Sequence, residues 1–273
     1  MRTLWWIVAV LAAALGPAGA AAAQDGFRGS ECLAMANATP RATPVSLRRT
    51  AVADQVTISY RGHSTYTIET PGGVMIATDY SGSYDTGRVP DVVTMNRAHS
   101  THYTLAPDPA IAHVLHGWGD NGEAANIRLR VGDVLIRNVP TDIRRFRFDD
   151  GSGGMIKDGN SIFIFEVAGL CIGHLGHLHT TLDDSHIAAI GRLDIVMVPI
   201  DGSYTLSLEG MSEITRRLRA SVVLPMHRFM TPLDDFMLRI GASFTVDQRS
   251  ERSLRISRDT LPAKPTVIIL KGV

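Results

Sequence analysis

The chain shows no bias of charge: 27 basic residues balance 27 acidic ones over 273 positions. No run of like charge marks a nucleic-acid or membrane-binding surface, and the small basic patch Arg144-Arg-Phe-Arg147 reads as a solvated loop. Internal repeats are absent, which excludes a solenoid. Long apolar runs are scarce too. The stretch from Leu4 to about Leu15 is too short to span a bilayer, and small residues follow it to Ala21-Ala-Ala23. An export signal over residues 1–23, cleaved before Gln24, fits this pattern better than an uncleaved anchor. The expectation is a periplasmic or secreted protein with no stable membrane anchor. Only two cysteines are present, Cys32 and Cys171. An oxidising compartment allows them to pair, while Cys171 could equally be a small buried hydrophobe in its apolar strand.

What the chain does have is histidine in telling places. Six of its ten histidines fall in three groups: His99 and His102, then His174, His177 and His179, then His227. Each group follows a strand-like apolar run, at Asp91–Met95, Gly169–Ile172 and Ala220–Leu224. Histidines at the carboxyl ends of several strands of one sheet can converge, and neutral imidazole is a common metal ligand.

About 250 residues remain after the signal, enough for one α/β domain with a substantial core. Residues 24–54 lack periodicity and read as a loosely ordered lead-in to a domain over 55–273. Val56–Tyr60, Thr65–Thr70 and Val74–Thr78 alternate as an antiparallel ribbon, with a turn at Pro71-Gly-Gly73. Ala106–Trp118 reads as a helical run after Pro107 and Pro109, with His113 and His116 as surface or packing residues. Two short strands are expected within Asn126–Val139, then a glycine-rich loop at Asp150–Gly154 before the strand pair that delivers His174. Leu193–Pro199 is a continuous apolar strand, Glu209–Arg219 an amphipathic helix with a Glu213–Arg217 pair, and Ala220–Leu224 a strand. Together these make a βαβ-like unit. Thr245-Val246 and Thr266–Leu270 read as late strands.

The segments Tyr60-Arg-Gly-His-Ser-Thr65, Ile76-Ala-Thr-Asp-Tyr80, Ala98-His-Ser-Thr-His-Tyr103, Gly173-His-Leu-Gly-His177, Val198-Pro-Ile-Asp-Gly202 and Pro225-Met-His227 share an order and spacing. By these the chain resembles the metallo-β-lactamase superfamily, in the branch that includes the ascorbate-phosphate lactonases, over roughly residues 55 to 230. The resemblance implies a four-layer αβ/βα sandwich with the site at one edge between two sheets. It also implies metal ligation by His99, His102, His177 and His227, with His174 or His179 as an extra. Asp79 would orient a ligand, unless it is a simple turn residue. His63 stands at the site edge, either touching metal or substrate or packed against backbone. Asp201 either orients a ligand or lines the cleft.

Departures from the family pattern reshape the expected chemistry. Where the family has His-x-His-x-Asp-His, this chain has Arg97, His99, Thr101 and His102. His177 stands where the family has a bridging Asp, and Asp142 is the one candidate ligand in Val139–Ile143. A guanidinium cannot ligate a cation, so Arg97 is expected to repel a second ion and hold a substrate anion. Thr101 and Tyr103 are either donors to a developing oxyanion or ordinary loop hydroxyls. Three or four imidazoles suit one zinc rather than two, with other transition metals fitting by ligand type. The expected activity is hydrolysis of a small-molecule ester, lactone or phosphoester by activated water. The competing reading is a non-catalytic protein that binds metal or ligand.

Overall fold

A computed structural model describes residues 29–34, 54–145 and 154–273. The export signal, most of the lead-in, most of the glycine-rich loop and the end of the basic patch lie outside the described residues. From the N-terminus come α1 (Glu31–Ala34), β1 (Val56–Gly62), β2 (Thr65–Glu69), β3 (Met75–Ala77), β4 (Val92–Met95) and β5 (His113–His116). Next are β6 (Arg128–Val131), β7 (Val134–Arg144), β8 (Met155–Val167), β9 (Leu170–His174), α2 (Asp184–Ile190) and β10 (Ile195–Pro199). The chain closes with α3 (Leu208–Leu218), β11 (Val222–Met226), α4 (Leu233–Ile240), β12 (Thr245–Gln248), β13 (Ser253–Ile256) and β14 (Thr266–Ile269).

The strands form two sheets, of order β13-β1-β2-β3-β4-β5 and β12-β14-β11-β10-β9-β8-β7-β6. Alternation decides which side chains meet. Ile58, Ile68, Ile76 and Val92 of the first sheet face Phe163, Phe165, Ile172, Met197 and Leu224 of the second, in a core buried between the two. The other face of the eight-stranded sheet carries Ile162, Ile164, Val196 and Val223, and α2, α3 and α4 cover it with Ile190, Met211, Ile214, Phe236 and Ile240. That sheet is covered on both faces, so β10 and β11 are buried at every position. The outer face of the six-stranded sheet places Ala77, Val93 and Met95 against Ile111, Tyr80, Tyr103 and Trp118. Among the described residues this layer is built from loops.

Three local expectations change. Ala106–Trp118 contains no helix; His113–His116 is an edge strand, paired in parallel with Val92–Met95. The period is two: Leu115 packs on the inter-sheet core and Val114 on the outer cluster, and the ladder satisfies the free edge of β4. Arg217 turns away from Glu213, donating to the Leu182 carbonyl and, at 2.8 Å, to Asp184. An arginine that reaches a neighbouring helix and a free carbonyl gains more than an exposed i,i+4 pair offers. Finally, residues 29–34 of the lead-in are anchored. Ser30 and the backbone of Glu31 hydrogen-bond Glu166, which Arg137 also engages at 2.7 Å. Burial works against the Glu166 carboxylate, but its hydrogen bonds from Ser30 and Arg137 win and its pKa is lowered.

Cys32 and Cys171 form a disulfide across a separation of 139 residues, joining α1 to β9. Closing a loop of that size removes on the order of 5 kcal/mol of denatured-state entropy in the chain-entropy account, less any native strain. Reduction is therefore expected to lower the urea midpoint without abolishing the fold. Equal midpoints with and without reductant, or two free thiols by mass spectrometry after non-reducing alkylation, would remove the bridge.

Candidate metal centre

Strands β3 and β4 run parallel in one sheet, and β9, β10 and β11 run parallel in the other. Their carboxyl ends meet at one edge of the sandwich, and nearly every residue of the site follows one of them. Asp79 follows β3; His99 and His102 follow β4; His177, Asp201 and His227 follow β9, β10 and β11. His63 comes from the tight turn between β1 and β2, where Gly62 adopts φ 146° beside the Tyr84 ring. A Cβ on Gly62 would stand 2.6 Å from that ring, so glycine is required for Tyr84 to close over the turn.

The two sheets are joined at this edge. The backbone N–H of His227 donates to the His63 carbonyl at 2.8 Å, and Tyr66 donates its hydroxyl to the Pro225 carbonyl at 2.8 Å. His174 Nε2 lies 2.9 Å from the Ser64 carbonyl, and Asn96 Oδ1 accepts from the Ser161 amide at 2.8 Å. Asn96 also donates to Asp79 at 2.8 Å. Sequence reasoning passed over Asn96; its signal was a polar side chain directly after a mostly apolar strand. Gly176, at φ 61°, lets the β9 turn approach Asn96 and Asn160, and the side-chain Oδ1 of Asn160 accepts from the His177 amide at 2.8 Å.

At the centre, one ligand atom from each of His63, His99, His102 and His227 lies within 4.8 Å of all the others. The His177 ring centroid is 4.7 Å from His102, 4.9 Å from His227 and 5.1 Å from His99, but His177 stands outside that quartet. His63 takes the place that motif alignment assigned to His177. Two quartet rings are hydrogen-bonded from behind and a third has a carboxylate beside it. Asp79 accepts from His102 Nδ1 at 2.7 Å, which directs the Nε2 lone pair inward. Asp201 Oδ1 lies 3.1 Å from His227 Nδ1 at a poor hydrogen-bonding angle, and the amides of Ser203, Tyr204 and Thr205 hold its other oxygen. Thr101 Oγ1 is 2.9 Å from His99 Nδ1, so its hydroxyl orients a ring.

Other expected residues fall elsewhere. Both nitrogens of His174 are engaged, Nε2 by Ser64 and Nδ1 by the Gly176 amide. Both nitrogens of His179 are engaged as well, by the Arg144 amide and by His177. Neither can therefore serve as the extra ligand. Arg97 is exposed and lines no part of the cavity above the cluster, because the chain turns outward once Asn96 has been buried. Asp142 accepts from the Asp158 amide, and Tyr103 packs edge-on against Trp118. The cavity itself, of about 500 Å³, is walled by Tyr84, Tyr204, Phe229, Ala98 and Thr101 with His63, His99 and His227 at its base. The aromatic residues were legible only after folding, since they come from three separate loops.

Burial sets the electrostatics. Desolvation, reinforced by neighbouring imidazoles, lowers the pKa of His63 to about 4 and that of His99, His102 and His177 below the usual 6.5. Burial raises the Asp79 carboxyl, tempered by its neighbouring histidines and Asn96. Burial also acts on Asp201, but its hydrogen bonds prevail and hold its pKa low. Neutral imidazoles beside carboxylates are the protonation states in which this set accepts a cation. His63 Nε2, His102 Nε2, His177 Nε2 and both His227 nitrogens are buried without a hydrogen-bond partner.

A sequence profile described as a beta-lactamase superfamily domain matches residues 57–227. A metal-dependent hydrolase from Methanospirillum hungatei is 27% identical over 180 residues, covering 62% of this chain and 81% of that protein. One from a Polaromonas species is 24% identical over 231 residues, covering 69% and 84%. A solved structure from Thermotoga maritima, described as a candidate Zn-dependent hydrolase of the metallo-beta-lactamase superfamily, is 25% identical with TM-score 0.57, covering 79% of this chain and 98% of that one.

The lowered histidine pKa values fix a pH dependence. Above about 6.5 both folded and unfolded chains hold these rings neutral; between 6.5 and about 4 the unfolded chain binds protons that the folded one refuses. Stability of the chelator-treated protein is expected to fall as pH drops through that window, read as the urea midpoint at pH 7 and pH 5. A midpoint that stays level or rises toward pH 5 would contradict burial of neutral rings.

Proposed function

The chain belongs to the metallo-β-lactamase superfamily, and on that premise we propose that it is a metal-dependent hydrolase of an uncharged, largely apolar ester or lactone. The observation that carries this reading is the set of unpartnered imidazole nitrogens converging beneath an aromatic cavity. An orphaned buried polar atom costs about 1–3 kcal/mol, and several in one place call for a shared partner. Water could bridge two of them; four nitrogens gathered within 4.8 Å suit a cation. His63, His99, His102 and His227 would hold one ion, for which zinc is the natural choice among transition metals. When bound, such an ion supplies a Lewis acid that activates water and polarises a carbonyl.

The remaining chemistry belongs to the chain. Asp79 and Thr101 fix the ring orientations of His102 and His99, and Asp201 places a carboxylate 3.1 Å from His227 Nδ1. Tyr84, Tyr204 and Phe229 offer apolar faces to the substrate and limit water at the base. No lysine or arginine among the described residues lines the cavity, which favours a neutral ester or lactone over a phosphoester and a small molecule over nucleic acid. Tyr204 and Phe229, with ring centroids 5.3 Å apart, form an aromatic lip suited to an acyl or aryl group. We place the protein in the periplasm or outside the cell, a reading supported by its disulfide and its apolar N-terminus.

Untagged protein is expected to carry about one equivalent of transition metal and to turn over an aryl ester or lactone faster than a phosphodiester. His102→Ala should lose both metal and turnover, and Asp79→Asn should cost about 10–100-fold in metal affinity or rate. Arg97→Ala should stay within about twofold of wild type in KM and kcat, as an exposed residue outside the cavity. Metal without turnover of any ester or lactone would replace this reading by the non-catalytic one. Absence of metal binding at micromolar concentration would end both.

A further inference from the structure

The quartet leaves out His177, whose ring nevertheless faces the same space, and its hydrogen bonds explain why. The backbone N–H of Arg144 can only donate, and it points at His179 Nδ1. That nitrogen must therefore be a lone pair, and the proton of His179 sits on Nε2. His179 Nε2 lies 2.6 Å from His177 Nδ1. Two N–H groups cannot face each other at that distance, so His177 Nδ1 is also a lone pair and its proton sits on Nε2. That Nε2 is fully buried, has no hydrogen-bond partner and belongs to a ring set edge-on to His99 and His102.

His102 is held the opposite way. A carboxylate behind its Nδ1 can only accept, so its Nε2 turns a lone pair inward. At His177 the partner is a relay that begins at a backbone amide. The same ring type, in the same cluster, is thus converted from acceptor to donor by what stands behind it.

We infer that His177 is not a metal ligand but an N–H donor into the centre of the cluster, set in that tautomer by the Arg144 amide through His179. The N–H can hydrogen-bond an oxygen admitted there, either the hydrolytic water or the carbonyl oxygen of the substrate. It replaces the carboxylate that the family motif has at this position, and its positive edge disfavours a second cation. His179, which also bonds the Tyr204 backbone, is a positioning residue that acts through His177. The catalytic consequence rests on the hydrolase reading; the tautomer does not.

Long-range ¹H–¹⁵N correlation spectra of histidine-labelled, metal-free full-length protein read the tautomer directly, with His177→Gln assigning the signal. The expected result is His177 protonated on Nε2 and His102 protonated on Nδ1. His179→Phe, which cuts the relay, should release His177 into a mixture of tautomers. His177→Gln keeps an N–H donor and should retain the wild-type metal equivalent after dialysis, whereas His102→Gln should lose it. On the aryl ester, His177→Leu should lower kcat by about 10²–10³-fold, the scale for one lost oxyanion donor. An Nδ1-protonated His177 in the wild type, or loss of metal from His177→Gln equal to that from His102→Gln, would overturn the inference. A wild type that binds no metal would defeat the hydrolase reading and leave the tautomer result to decide this one.

Discussion

Desolvated imidazoles govern this molecule. His102, His177 and His227 are almost wholly inaccessible to water, and each presents at least one nitrogen that nothing in the chain satisfies. Such groups persist only where the rest of the fold over-determines them. Here the support is explicit. Two carboxylates and a threonine stand behind the quartet's rings, a relay stands behind His177, and four hydrogen bonds clamp one sheet to the other at this edge. The apolar core between the sheets supplies the stability that these unpartnered nitrogens cost.

Part of the backbone strain lies at the same edge, although Asp158, Ala168 and Arg219 adopt positive φ elsewhere. His63, Asp79 and His227 all adopt positive φ, at 51°, 43° and 48°. Each costs roughly 1–3 kcal/mol for a residue with a Cβ. Their neighbours explain how the cost is borne. The His63 carbonyl is fixed by the His227 amide and approached by the Tyr60 hydroxyl, while the Asp79 carbonyl accepts from Thr65. A left-handed turn at the end of a strand lets a side chain double back into the edge rather than continue along the sheet. At this edge strain and site meet because both come from stopping strands abruptly.

Much of this was legible in the chain. The histidines after apolar runs pointed to strand ends, and alternation at Val56–Tyr60 and Thr65–Thr70 located the first ribbon. The continuous apolar run before Pro199 marked a strand covered on both faces. β5, read as helix, and α2, α4 and β13, which escaped notice, are short segments defined by the edges and faces they cover rather than by their own pattern. Within the site, sequence could name imidazoles but not separate His63 from His177 or exclude His174. That distinction lies in whether an amide, a carbonyl or a carboxylate stands behind each ring, which is a tertiary fact. Arg97 misled for the opposite reason. Its position in the motif suggested a role, but the burial of Asn96 one residue earlier turns the chain out to solvent.

Charge bears on the one-ion reading proposed above. Asp79 and Asp201 are buried, and among the described residues neither is paired with a lysine or arginine. Two buried carboxylates among neutral rings form a set that one divalent cation balances. A second cation would need further anionic or lone-pair donors. The family motif has them at three positions that here are Arg97, Thr101 and His177. Arg97 is exposed, the Thr101 hydroxyl is spent on His99, and His177 presents a proton. Each change alone would weaken a second site. On the one-ion reading proposed above they are consistent replacements, because a centre without a second cation would have an N–H donor beside an apolar cavity.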